Sequence, residues 1–375
     1  MRQQGLLSEA INARKRLRTR DLLPTRITLK ITSRCNLRCE FCELGRWHVG
    51  VELPYEAIVK LLVFARQHRQ RVFFGGGEPL LHTRIWDILE FCLDNGLKVS
   101  LVTNGTLLPG VTKEQQHLVN ETISMMSLSI DGSTASAHDE GRGVPGSFDR
   151  AVGYLDNPNR THPLGLNTLL AVDFGNVRPM VDFARTHRAS INFLPILFET
   201  SFPDLPRAEW KDCSRRLMST IKCDVEVLRR ASEYARQQGV TTNLDLLLFY
   251  IAAYYKNDDS NGCFFDQLFP RFHCFTPLNA LTVGEKGEIM LCTLVSGSAS
   301  MHVDQWLEQW REQATQFRDA WERGHRFPGC KSCSCHFAEN LRCNVVAHPL
   351  ANSKHLGWFT SYYTRRWIRG EGRVR

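Results

Sequence analysis

Between Arg26 and Ile196 the chain switches repeatedly from the two-residue alternation of a strand to the i, i+3, i+4, i+7 spacing of an amphipathic helix. Candidate strands are Arg26–Thr32, Arg71–Phe74, Lys98–Thr103, Ser124–Ile130, Leu164–Val172 and Ser190–Ile196. Helical stripes such as Ile58, Leu61, Leu62 and Ala65, or Val177, Met180, Val181 and Ala184, lie between them. Strand–helix repeats of this kind leave few folds open, because helical crossovers make the strands parallel and the connections right-handed. The expected class is α/β, and in a parallel α/β barrel functional residues gather where the strands end.

The unusual residues of the chain occupy those ends. Cys35, Cys39 and Cys42 follow the first strand, in the run Arg34-Cys35-Asn36-Leu37-Arg38-Cys39-Glu40-Phe41-Cys42. Gly75-Gly76-Gly77-Glu78-Pro79 follows the second, Thr103-Asn104-Gly105 the third, and Ser127-Leu128-Ser129-Ile130-Asp131-Gly132 the fourth. A cubane iron–sulfur cluster normally takes four cysteines, so a group of three leaves one iron open to something other than protein. Half of a zinc site completed by a distant histidine, or simply buried thiols, are the alternatives for the same loop.

The chain has 375 residues, 43% hydrophobic and 23% charged, which is ordinary for a globular enzyme with one large domain and a smaller one. The longest apolar run, Leu246 to Ala253, is far short of a membrane span, and the N-terminus carries a basic stretch from Arg14 to Arg20 in place of an apolar signal core. A cytoplasmic location is expected. In that setting thirteen cysteines argue for metal or cluster ligation over disulfides. Cys92 is the exception, since Ile85, Ile88, Leu89 and Cys92 make one helix face; Cys213 and Cys223 also lack partners at ligand spacing and are expected to be structural.

The cysteine loop, the Gly-Gly-Glu-Pro segment, the Thr-Asn-Gly turn and the Ser-Ile-Asp-Gly strand end, in this order, resemble the radical S-adenosylmethionine (SAM) superfamily. The resemblance implies a partial (β/α)6 barrel of the TIM type, with Cys35, Cys39 and Cys42 holding a [4Fe-4S] cluster that binds SAM. Gly76, Gly77 and Glu78 would then meet the amine of SAM, by close backbone approach and a carboxylate or main-chain carbonyl. Thr103 and Ser129 would offer hydroxyls to its carboxylate and ribose. Arg142, in the run His138 to Gly143, is a candidate for the SAM carboxylate, and Leu194-Pro195 for its adenine. No side chain is singled out as a catalytic acid, base or hydrogen donor, although Cys263 is a candidate donor or additional ligand.

Downstream, Asn279 to Leu291 reads as a hairpin turning at Gly284 to Gly287, followed by an amphipathic stretch with Trp306, Trp310, Phe317 and Trp321. The cysteines around it resemble the twitch or SPASM extension of the superfamily, which implies one auxiliary [4Fe-4S] cluster on Cys274, Cys292, Cys330 and Cys333. Seven cysteines follow residue 260, one fewer than two fully ligated cubes need. A zinc knuckle of Cys330, Cys333, Cys335 or His336, and Cys343 is the competing arrangement. The expected organisation is a basic N-terminal extension (1–25), the barrel (26–200), a helical bridge (201–260), the auxiliary cluster domain (261–345) and a basic C-terminal tail (346–375).

The resemblance implies reductive cleavage of SAM to a 5′-deoxyadenosyl radical that takes a hydrogen atom from a substrate, with an electron donor such as flavodoxin or ferredoxin. The expected substrate is a small polar molecule, such as a sugar, aminocyclitol or nucleoside intermediate, oxidised overall. The alternative is a ribosomal peptide, because the Ser-Ile-Asp-Gly and Gly-Ser-Phe-Asp segments also look like peptide-modifying relatives. A net charge of +8, with basic residues at both ends, admits a non-catalytic nucleic-acid-binding protein as a third and weaker reading.

Overall fold

The computed structural model describes residues 22–39, 42, 50–170, 176–195, 226–245, 276–292, 295–302, 304–323 and 325. Nine strands form one sheet: β1 (Arg26–Thr32), β2 (Arg71–Gly76), β3 (Val99–Thr103), β4 (Ile123–Ser129), β5 (Leu164–Leu170), β6 (Ser190–Pro195), β7 (Ala280–Val283), β8 (Glu288–Cys292) and β9 (Val295–Ser300). Their spatial order is β6-β5-β4-β3-β2-β1-β7-β8-β9. From β1 to β6 every neighbouring pair is parallel, so the carboxyl ends of six strands share one edge.

The crossover helices are α1 (Tyr55–Gln67), α2 (Ile85–Asp94), α3 (Lys113–Thr122), α4 (Ala135–Arg142), α5 (Ser147–Leu155) and α6 (Val177–Thr186). Each buries the face its sequence marks. In α1 the buried set includes Ile58, Leu61, Leu62 and Ala65; in α6 it is Val177, Met180, Val181 and Ala184. In α2 it is Ile85, Ile88, Leu89 and Cys92. Cys92 is a core residue, and burial pushes its thiol up to about 12, which keeps it protonated and inert. On the sheet, Ile27, Leu29 and Ile31 of β1 and Val72 and Phe74 of β2 are buried at the period of two that a strand requires.

Strand β2 runs to Gly76, two residues beyond the apolar run, because its glycines approach the end of β1 closely enough to pair Gly76 with Thr32. At the other end of the parallel set, β6 has no further strand on its outer side among the described residues, only an isolated parallel bridge from Ile191 to Thr242. A helix at 226–237 (α7) leads into residues that cover this edge. Ile191 N donates to Thr241 O at 2.9 Å, and beyond it Phe193 N donates to Asn243 Oδ1 and Asn243 Nδ2 donates to Phe193 O, each at 2.8 Å, so a side-chain amide extends the pairing of this edge.

The hairpin turning at Gly284 to Gly287 joins β7 to β8, and β7 pairs in parallel with β1 through Arg26 opposite Ala280. This hairpin therefore continues the barrel's own sheet. Helix α8 (Trp306–Glu322) buries Trp306, Trp310, Ala314, Phe317 and Trp321, and the Trp306 ring meets Phe64 of α1 edge-on at 5.0 Å. Cys213, Cys223, Cys263, Cys274, Cys330, Cys333, Cys335, His336 and Cys343 lie outside the described residues, as do the basic stretch Arg14 to Arg20 and the tail 346–375. For Cys292 only the backbone, in β8, is described.

Candidate active site

The loop that leaves β1 is pinned at its base. Ser33 N donates to Val51 O at 2.8 Å, Leu53 N donates to Ile31 O at 2.9 Å, and the Ser33 hydroxyl accepts from Val51 N at 2.9 Å. Within the loop Cys39 is buried, Cys35 and Cys42 are half-buried, and Cys42 N donates to Cys39 O at 3.2 Å. Burial pushes the Cys39 thiol up to about 11, against the pull of the Arg142 charge, and Cys42 and Cys35 raise it further. Burial also raises Cys35, despite the Leu37 backbone hydrogen bond, with Glu78 and Cys42 adding to it. The three sulfurs are thus electrostatic neighbours, and at Cys35 and Cys39 burial disfavours the thiolate, which calls for a metal there. Among the described residues no three His, Cys, Asp or Glu side chains converge on one metal ion. A single zinc would hold its thiolates at about 2.3 Å each, whereas a cube binds each thiolate through a different iron. The donor set fits a cluster.

The glycines after β2 serve this loop directly. Gly77 N donates to Thr32 O and Glu78 N to Arg34 O, both at 2.7 Å. A Cβ on Gly76 (φ +112°) would stand 2.5 Å from Thr32 O, and one on Gly77 would stand 2.2 Å from Arg34 O. No side chain fits at either position. What these glycines approach is the backbone of the cysteine loop, so their own backbone, on the rim, is the part left to face a ligand.

Glu78 is 1% exposed. Its Oε1 accepts from Thr103 Oγ1 at 2.7 Å and Leu80 N at 3.1 Å, and its Oε2 accepts from Asn104 N at 2.8 Å. Burial raises this carboxyl while those bonds hold it down, the burial prevailing. The side chain braces the end of β2 against the end of β3. Of the two acceptors expected for an amine at this motif, carboxylate or main-chain carbonyl, the carboxylate is enclosed in protein. Thr103 is 2% exposed, and its hydroxyl donates to Glu78 and accepts from Gly105 N at 3.0 Å, so it too is committed within the rim.

A polar ring missing from the expected residues ties the third strand end to the cysteine loop. Asn104 Nδ2 donates to Asn36 Oδ1 at 2.8 Å, Asn36 Nδ2 donates to Thr106 Oγ1 at 2.8 Å, and Thr106 Oγ1 donates to Asn104 Oδ1 at 2.7 Å. The only sequence signal for it is the presence of two amides and a hydroxyl in two segments expected on the same rim.

Ser129 is half-buried at the end of β4, opposite Asn167 of β5, and Leu194 is half-buried on β6, opposite Leu169. Both are on the rim side of the sheet. Arg142 ends α4 and is 7% exposed. Its Nε lies 2.6 Å from Asp131 Oδ2, and its Nη1 donates to Cys39 Sγ at 3.9 Å. The expected partner of Arg142 was a ligand carboxylate; the structure places it between a carboxylate of the chain and a cysteine sulfur.

A family model for the radical SAM superfamily matches residues 29–157, the stretch that contains these four strand ends. The AdoMet-dependent heme synthase of Nitratidesulfovibrio vulgaris is 32% identical over 139 residues, which are 34% of this chain and 36% of that protein. The mycofactocin maturase MftC of Mycobacterium tuberculosis is 29% identical over 167 residues, 43% of this chain and 41% of that protein. The chain thus spans well under half the length of these curated relatives. Among solved structures, Streptococcus suis SuiB bound to precursor peptide SuiA is similar in fold, with a TM-score of 0.57 at 17% identity over 83% of this chain and 70% of SuiB. Among the described residues no helix is long and apolar enough to cross a membrane. The stretch 29–157, with its three-cysteine loop braced by the glycine motif on the rim of a parallel α/β sheet, is a radical SAM domain.

Proposed function

We propose that this chain is a radical SAM enzyme that modifies a peptide. The observation that carries the reading is the placing of Cys35, Cys39 and Cys42 in one loop on the rim, with Gly76, Gly77 and the Asn36–Thr106–Asn104 ring shaping that loop. Cys35, Cys39 and Cys42 would hold a [4Fe-4S] cluster, which would supply the one-electron reduction of bound SAM. The chain's own part is to hold and orient. The three thiolates fix the cluster and leave a position open. The Gly76–Glu78 backbone, the Ser129 hydroxyl and Leu194 on the same rim side are the proposed contacts of SAM, with Arg142 able to add a donor at the cluster.

For the substrate, a peptide has more behind it than the small polar molecule expected from the sequence. The matches include a mycofactocin maturase, and the fold resembles a protein solved with a precursor peptide. An auxiliary cluster on Cys274, Cys292, Cys330 and Cys333 would accept the electron of an oxidised substrate, and a flavodoxin or ferredoxin would supply the first electron. The test is anaerobic turnover with a precursor peptide deuterated at its side chains. Deuterium in the 5′-deoxyadenosine, lost in Cys39→Ala with its melting temperature retained, is the expected result. Deuterium transfer from a sugar or aminocyclitol, and none from any peptide, would overturn the peptide assignment.

A further inference from the structure

The carboxyl end of α4 is built into the cysteine loop. Arg142 O accepts from Arg38 N at 3.1 Å, and a Cβ on Gly143 (φ +66°) would lie 2.5 Å from Arg38 O, so helix end and loop meet backbone to backbone. The Arg142 side chain turns back along this contact, with Nη1 at 3.9 Å from Cys39 Sγ and Nε at 2.6 Å from Asp131 Oδ2. Asp131 is itself fixed from three directions. Its Oδ1 accepts from Leu169 N at 2.9 Å, its backbone N donates to His138 Nδ1 at 3.2 Å, and its carbonyl accepts from Asn176 Nδ2 at 2.7 Å. The guanidinium therefore sits in a frame made by the ends of β4 and β5, the start of α6 and helix α4.

We propose that Asp131 and Arg142 are a positioning pair that holds one permanent positive charge against the Cys39 sulfur and so raises the reduction potential of the cluster. The proposal rests on the reading that Cys35, Cys39 and Cys42 ligate an iron–sulfur cluster. The physical reason is direct. Reduction adds one negative charge to the cluster, and a cation or hydrogen-bond donor at a ligating sulfur favours the more negative state. Arginine suits the task because it stays charged when buried and its planar fork contacts a carboxylate and a sulfur together. The aspartate orients the fork and offsets part of its charge.

The test is an anaerobic redox titration of the reconstituted full chain without SAM, followed by the electron paramagnetic resonance of the reduced cluster. A chain with Cys35, Cys39 and Cys42 all changed to Ala provides the signal of any other cluster for subtraction. Arg142→Gln is expected to lower the reduced-to-oxidised ratio at fixed potential about tenfold, which corresponds to about 59 mV for one electron. Arg142→Lys recovers part of that shift. Asp131→Asn, which removes the counter-charge, moves the potential upward. An Arg142→Gln potential equal to that of the unaltered chain at equal iron content overturns the proposal. If Arg142→Gln sheds its cluster and Arg142→Lys keeps it, the contact is supported. If both shed it, the Asp131→Asn potential decides, and no shift there overturns the pair. Failure of the underlying reading looks different: the unaltered chain would then show no signal that depends on the three thiols.

Discussion

Changing Asn104 to Ala isolates the rim's polar ring from everything else in the site. Asn104 Oδ1 accepts from both the amide and the hydroxyl of Thr106, at 2.9 and 2.7 Å, while Asn104 Nδ2 donates to Asn36 Oδ1 at 2.8 Å. Asn104 is 7% exposed and Thr106 5%, so the two Thr106 donors left behind have little water to turn to. Each orphaned buried group costs about 1–3 kcal/mol, and rotation of the Thr106 hydroxyl recovers part of one, giving a total of about 2–4 kcal/mol. Asn36 is exposed, and its removal leaves solvent to compensate, at about 1 kcal/mol. The double variant should cost less than the two singles added, with a coupling of about 1 kcal/mol. Urea denaturation of the iron-free chain measures this, with slopes unchanged and only midpoints shifted. An Asn104→Ala chain within 0.5 kcal/mol of the parent, or an Asn36→Ala chain that loses as much as Asn104→Ala, would refute a cooperative ring.

Three further outcomes follow from the same geometry. Gly77→Ala places a Cβ 2.2 Å from Arg34 O, so the loop must move; a loss of about 2–4 kcal/mol and faster iron release to a chelator are expected, and unchanged release contradicts the close-approach argument. Asp139 accepts from Gly146 N, Ser147 Oγ and Phe148 N at 2.6, 2.7 and 2.8 Å, capping α5 from the preceding helix, so Asp139→Ala should lower the thermal midpoint by the equivalent of about 1–2 kcal/mol. His138 and His162 are held down to about 4, first by burial and then by Arg142 and Arg160 respectively. Both remain neutral when folded and take a proton when unfolded, so their stabilisation is complete above about pH 6.5 and is lost as pH falls to about 4, at about 1.4 kcal/mol per pH unit for each. Urea midpoints between pH 7 and 4.5 should fall with this slope and His162→Asn should reduce it, whereas a flat profile contradicts the buried neutral state.

What was legible in the sequence is what a local period can carry. The stripes of α1, α2 and α6, the placing of Cys92 in the core and the Gly284–Gly287 turn all follow from spacing that each segment states by itself. The rim was legible at one remove, since parallel strands must put their following segments on one edge. Side-chain employment was not. Glu78 meets Thr103 and Asn104 across 25 and 26 residues, Asn36 meets Thr106 across 70, and Arg142 meets Cys39 across 103. These pairings depend on register between strands that no single segment encodes. For the same reason the pairing of β7 with β1, residues some 250 apart, made part of an expected separate domain continuous with the barrel's sheet.

The claim on which the rest depends is that the trio of thiols holds a cluster with a coordination position open to SAM. Electron paramagnetic resonance of the reduced, anaerobically reconstituted chain tests it most directly, recorded with and without SAM and compared with Cys39→Ala. A cluster signal that changes on adding SAM, with release of 5′-deoxyadenosine, and that Cys39→Ala abolishes, is the predicted result. A signal indifferent to SAM, or zinc in place of iron at that loop, would contradict it.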